Sequence, residues 1–121
     1  MTYDENNIFA KILRGEIPCE KIYEDDYLLS FHDISPQKKI HAIVIPKGKY
    51  IDLDDFNSKA SDKEIVGLLK GISIVAKKLG ISADTGKGYR TLSNLSEDGG
   101  QEVLHLHFHL FGGERIGKMV Q

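Results

Sequence analysis

Hydrophobic residues recur along this chain in two rhythms. At three-and-four spacing, Ile65, Leu68, Leu69, Ile72, Val75, Ala76 and Leu79 form one stripe, which predicts a helix. Ser61-Asp62-Lys63-Glu64 ahead of it reads as a capping box, and Gly80 ends it. Gly67 and Gly71 weaken that helix by about 1 kcal/mol each relative to alanine. Spaced by four, they also leave a flat strip, either a dimer surface or a seat against the domain's own sheet. A shorter helix is predicted from a cap at Asn6 or Asn7 through Arg14. Ile8, Phe9, Ile12 and Leu13 share its apolar face, and Gly15 and Pro18 stop it.

The other rhythm is two. Lys21 to Glu24 and Tyr27 to His32 predict a hairpin turning at Glu24-Asp25-Asp26. Ile40 to Ile45 is a β-branched strand closed by Pro46. Tyr89 to Leu95 and Val103 to Phe111 predict two more strands, with a turn at Ser96 to Gly100 between them. Tyr50 to Ala60 is an acidic connection with room for a helical turn. About five strands and two helices, joined mostly as hairpins, imply an α+β fold with an antiparallel sheet. We expect one domain over 1–121, with a core at about 5–115 and a short tail at 116–121.

The last strand carries the chemistry. His105, His107 and His109 alternate with Leu104, Leu106, Phe108 and Leu110. On a strand all three imidazoles face one way and the apolar residues the other. Packing gives no reason to line one face with three groups that titrate near neutral pH. A single metal ion fits poorly, because the outer pair would stand about 13 Å apart. Phosphate chemistry fits better. A neutral imidazole is a competent nucleophile toward phosphorus and is not repelled by phosphate. The middle residue, His107, is the candidate, with a protonated neighbour to offset developing charge. An amine leaving group also needs a proton donor. Gly99-Gly100 permits close backbone approach to a ligand, and the N–H groups after it suit an anion nest. Asn94 offers a neutral donor. His41 either orients the triad or is a core histidine.

Composition narrows the alternatives. A net charge of −2 gives no basic footprint for nucleic acid. The single cysteine, Cys19, excludes an internal disulfide and a multi-cysteine zinc site. The start shows no signal pattern, and no apolar run approaches a membrane span. We therefore expect a cytoplasmic protein with no membrane partner.

His105-Leu-His107-Phe-His109-Leu-Phe111 matches the pattern His-x-His-x-His-x-x with apolar x. The chain resembles the histidine triad superfamily and, within it, the Hint branch of nucleoside phosphoramidases. Asn7-Ile-Phe-Ala-Lys-Ile, Phe31-His-Asp-Ile-Ser-Pro36, His41-Ala-Ile-Val-Ile-Pro46 and Asp98-Gly-Gly-Gln101 extend the resemblance in order. It implies a homodimer with one sheet running across both copies, a purine nucleotide pocket, and hydrolysis of adenosine-type nucleoside 5′-phosphoramidates. It implies no cofactor and no metal.

By motif position, His107 would form a nucleotidyl-histidine, with His105 and His109 flanking the phosphate. Asn94, the Gly100 backbone and the Gln101 segment would hold phosphate oxygens, and Asp33 the ribose hydroxyls. Phe31, His32 and Ile34 would line the base and sugar pocket, with Ile8, Phe9, Ile12 and Ile43. Two features depart from the pattern. Glu102 stands where some relatives carry a phosphate-touching serine, so only its N–H would help, or its carboxylate would receive the leaving amine. The tail lacks the tryptophan of animal relatives, which bears on leaving-group choice. The alternatives are a dinucleoside polyphosphate hydrolase of the same superfamily and a purine nucleotide-binding module with slow catalysis.

Overall fold

Strand β3, Ile40–Pro46, is buried on both faces and organises the molecule. This computed structural model describes residues 2–120; Met1 and Gln121, the ends of the expected domain, lie outside the described residues. The elements run α1 (Ile8–Leu13), β1 (Lys21–Glu24), β2 (Leu28–His32), β3, α2 (Leu53–Lys59), α3 (Asp62–Lys78), β4 (Arg90–Leu92), α4 (Ser96–Gly99) and β5 (Phe108–Gly112). The five strands form one sheet in the order β1-β2-β3-β5-β4, and every neighbouring pair is antiparallel.

Alternation along the central strands divides the core in two. Ala42 and Val44 of β3, with Leu28 and Leu110, face α3, which contributes Leu68, Ile72, Val75 and Ala76. Ile43 and Ile45, with Leu29 and Phe31, face the other way, against Phe9 of α1. A strand covered on both faces reads as a continuous apolar run, as Ala42 to Ile45 does. The α1 face is the one that carries the histidines.

The predicted caps form. Asn7 Oδ1 accepts from Ala10 N–H, and Ser61 and Glu64 make the reciprocal capping box. Gly67 and Gly71 seat α3 on its own sheet: a Cβ at Gly71 would lie 1.8 Å from Leu28 Cδ2, and one at Gly67 2.5 Å from the Tyr27 ring. The stripe is narrower than predicted, because Leu69 is 57% exposed.

Four helices replace the two expected. The acidic connection contains α2, capped by Asp52 and anchored by buried Phe56, and the Ser96–Gly100 turn contains α4. Both late strands are shorter than the apolar pattern suggests. Pro46, opposite Leu106 in this register, has no N–H to give and β3 ends there, so residues 103–105 have no β3 partner. The strand with alternating histidines therefore begins only at Phe108, opposite Val44. Before it, Leu106 N–H donates to Tyr50 O at 2.8 Å. β4 stops at Leu92, and Ser93 Oγ then donates to His107 O at 2.7 Å in place of a ladder bond.

Candidate active site

Three consecutive donor–acceptor choices fix the histidines. His105 is fully buried where the chain crosses the end of β3, and its Nε2 donates to Pro46 O at 3.0 Å. Its Nδ1 accepts from Tyr3 Oη at 2.7 Å. With both nitrogens occupied, His105 does not line the cleft that His107 borders; it shapes the turn on which its neighbour sits. Its pKa falls to about 4, chiefly through burial.

His107 Nδ1 donates to the His105 carbonyl at 2.8 Å. A neutral imidazole carries one proton, so Nε2 keeps its lone pair. Burial lowers the pKa of His107 and outweighs the opposing effect of that carbonyl bond. Phe9 packs edge-on against the ring, centroids 4.9 Å apart, and limits its rotation. His107 is thus neutral, oriented, and bare at one nitrogen.

His109 is the third imidazole, and its tautomer is set from a distance. Gln37 N–H donates to His41 Nδ1 at 3.2 Å, so the His41 proton sits on Nε2. That nitrogen lies 2.8 Å from His109 Nδ1 and 3.4 Å from Asp33 Oδ2. His109 Nδ1 accepts, which puts the His109 proton on Nε2. The geometry follows from register: Ile43 opposes His109 and Phe111 opposes His41, so the two histidines are diagonal neighbours. Burial, with His107 and His41 nearby, pushes His109 down to about 4. Burial also lowers His41, against the pull of Asp33. Burial therefore favours the neutral form of all four imidazoles in the ligand-free protein.

His107 and His109 border a cleft of about 170 Å³ that also brings together Phe9, Asp33, Ile43 and Asn94. Gly100 and Glu102 close its rim. Asp33 does two jobs at once. Its Oδ1 accepts from Ser35 N–H at 2.8 Å, as a turn cap, while Oδ2 faces His41.

The loop behind the cleft differs from expectation. Gly100, at φ +72°, and Gln101 give their N–H groups to Glu97 O and Ser96 O, so they are not free for an anion. The Gln101 side chain donates to Ile51 O and Val103 O and accepts from Ser96 N–H. These bonds make it a latch on the loop. The next donor along the loop is Glu102 N–H. Phe31 is core, while Ile8 and Ile34 are 41% and 90% exposed; with Ile12 and His32 they lie outside this cleft. Sequence reasoning missed Tyr3, Ser93 and the Gln37 backbone, which meet the site only through the fold.

Asp33, His41 and His109 present ligand atoms within 4.8 Å of one another. Two nitrogens on one tetrahedral zinc ion would stand about 3.3 Å apart. The 2.8 Å separation of His41 and His109 is instead that of a shared proton.

A buried histidine with one unbonded ring nitrogen, beside a hydrogen-bonded histidine pair, on the α1 face of a five-stranded antiparallel sheet, is the arrangement of a histidine triad protein. The chain belongs to the HIT domain family, whose profile matches residues 14–116. It is 53% identical over 119 residues to a HIT-like protein of Azospirillum brasilense, covering 98% of this chain and 95% of that one. A solved HIT family hydrolase from Clostridium thermocellum superimposes with a TM-score of 0.86 at 34% identity, over 98% of this chain and 99% of the other. A histidine triad nucleotide-binding protein from Candida albicans matches with a TM-score of 0.75 at 33% identity, covering 87% and 73%.

Proposed function

We propose that this protein hydrolyses nucleoside 5′-phosphoramidates of the adenosine type through a nucleotidyl-histidine intermediate. The observation that carries the proposal is the His107 Nδ1–His105 carbonyl bond, which leaves His107 Nε2 as a lone pair bordering the cleft.

The purine would lie toward Phe9 and Ile43, with the ribose hydroxyls on Asp33. Asn94 and the Glu102 N–H would hold phosphate oxygens. An arriving phosphate is negative, and negative charge beside His109 favours its protonated form. Substrate and proton thus enter the site together. His107 Nε2 attacks phosphorus, the P–N bond breaks, and the amine leaves with a proton from His109 Nε2. Water then attacks phosphorus, giving a proton to His109 Nε2; a P–O bond forms, the P–Nε2 bond breaks and its electron pair returns to His107. His41 acts through His109, holding its tautomer and sharing its charge with Asp33.

We further propose a homodimer, since Val66, Leu69 and Ile74 stand exposed on α3. Sedimentation at micromolar concentration tests it.

The activity is tested with an adenosine 5′-phosphoramidate and wild-type or His107→Ala protein. Wild type should turn over, and the variant should lose roughly 10³-fold or more. Equal rates would remove His107 from its role.

A further inference from the structure

Tyr3 does not line the cleft, yet its hydroxyl reaches a buried imidazole of the triad. His105 Nε2 faces the Pro46 carbonyl at 3.0 Å, and a carbonyl only accepts, so the ring proton sits on Nε2. Nδ1 is then a bare acceptor on a fully buried ring. Tyr3 Oη, at 2.7 Å, donates the one hydrogen bond found on that nitrogen among the described residues. The Tyr3 ring also packs edge-on against the imidazole, with centroids 5.7 Å apart.

The segment that carries Tyr3 is docked at several points. Asn7 donates to Asp4 O from its backbone N–H and from Nδ2, at 3.2 and 2.7 Å. Arg14 Nη1 donates to Glu5 O at 2.8 Å, and the Glu5 carboxylate pairs with Lys49, beyond the end of β3. The segment is thereby tied to both ends of α1 and to the loop after β3. Asn7 also caps α1, which seats Phe9 against His107.

A shared peptide group links Tyr3 to the nucleophile. The His105 carbonyl receives His107 Nδ1–H, and it belongs to the same planar unit as Leu106 N–H. Tyr50 O holds the N–H edge of that plane at 2.8 Å. At its other end the plane is attached to the His105 side chain, clamped between Tyr3 Oη and Pro46 O.

We propose that Tyr3 is a positioning residue for His107: by clamping the His105 ring it keeps the His105 carbonyl on His107 Nδ1, and so keeps the lone pair on His107 Nε2. The kinetic consequence of this role rests on the phosphoramidase reading; the tautomer does not. Without the hydroxyl, His105 Nδ1 is an unpaired buried acceptor, and the ring moves to find a donor. The carbonyl shifts with it, and His107 divides between two tautomers. The one with its proton on Nε2 has no lone pair there to attack phosphorus.

Tyr3→Phe tests this, because it keeps the ring and removes only the hydroxyl. Ring-nitrogen NMR on isotope-labelled, ligand-free protein at pH 7.5 reports the tautomer of each histidine. Wild type should show His107 protonated at Nδ1 alone, and Tyr3→Phe should show both tautomers. For an adenosine 5′-phosphoramidate, kcat should fall roughly three- to tenfold, the worth of one hydrogen bond, with KM changed little. Lys49→Gln loosens the same segment without touching the hydroxyl, and it should match wild type in tautomer and in kcat. An unchanged His107 tautomer in Tyr3→Phe, a loss confined to KM, or an equal loss in Lys49→Gln would overturn the proposal. If wild type cleaves no phosphoramidate, the proposed function falls and the NMR comparison alone decides the role of Tyr3.

Discussion

The side chain of His107 is held by the backbone of His105: Nδ1 donates to the carbonyl two residues earlier at 2.8 Å. This local bond separates two chemically identical side chains. His105 has both ring nitrogens occupied, whereas His107 keeps one lone pair. It also explains why the motif needs irregular backbone at that point. A regular ladder would engage the His105 carbonyl with a neighbouring strand.

Histidine 41 should matter to rate more than to binding. Replacing it with alanine removes the donor that fixes the His109 tautomer. We expect kcat to fall on the order of 10²-fold with KM changed little. Steady-state kinetics measure the split, and a pure KM effect would place His41 among substrate ligands instead.

Stability should depend on pH through the buried imidazoles. The folded pKa values of His105 and His109 lie near 4, below the ordinary 6.5. The unfolded chain therefore binds more protons as pH falls from about 6.5 toward 4, and folding weakens over that window. Above 6.5 the contribution is fully present. Urea unfolding at pH 7.5 and pH 5 should differ by on the order of 2 kcal/mol for each of these two imidazoles, the lower pH being less stable.

Gly71→Ala should destabilise, although alanine favours helices by about 1 kcal/mol. The new methyl would meet Leu28 Cδ2 at 1.8 Å, and Leu28 is fully buried. Overpacking of this kind costs about 1–3 kcal/mol, so the clash outweighs the propensity gain. Thermal unfolding reads the sign directly.

Gln101→Ala tests the latch. Losing its bonds to Ile51 O, Val103 O and Ser96 N–H should cost about 1–3 kcal/mol in the ligand-free protein. A residue that only touched substrate would leave ligand-free stability unmoved.

The regular elements were legible because their signals are local. Ser61 and Glu64 cap α3, and the β-branched run at Ile40 marks the strand that is buried on both faces. The irregular approach to β5 was not legible from alternation alone. Val103 to His107 keep an alternating pattern, but a strand also needs a partner, and β3 ends at Pro46. The triad stood out by spacing, and two of its members, His107 and His109, share one cleft with Asp33, Asn94 and Ile43. The roles of the individual nitrogens were hidden. Tyr3 reaches His105 across 102 positions and His41 reaches His109 across 68, so neither contact leaves a mark in the local sequence.

The most direct test of the central claim is to trap the intermediate. Wild-type protein is mixed with an adenosine 5′-phosphoramidate, quenched within one turnover, digested and analysed by mass spectrometry. One adenylyl group on the peptide containing His107, localised to that residue and absent from His107→Ala, is the expected result. Turnover with no adenylylated peptide, or the group found on His105 or His109, would contradict it.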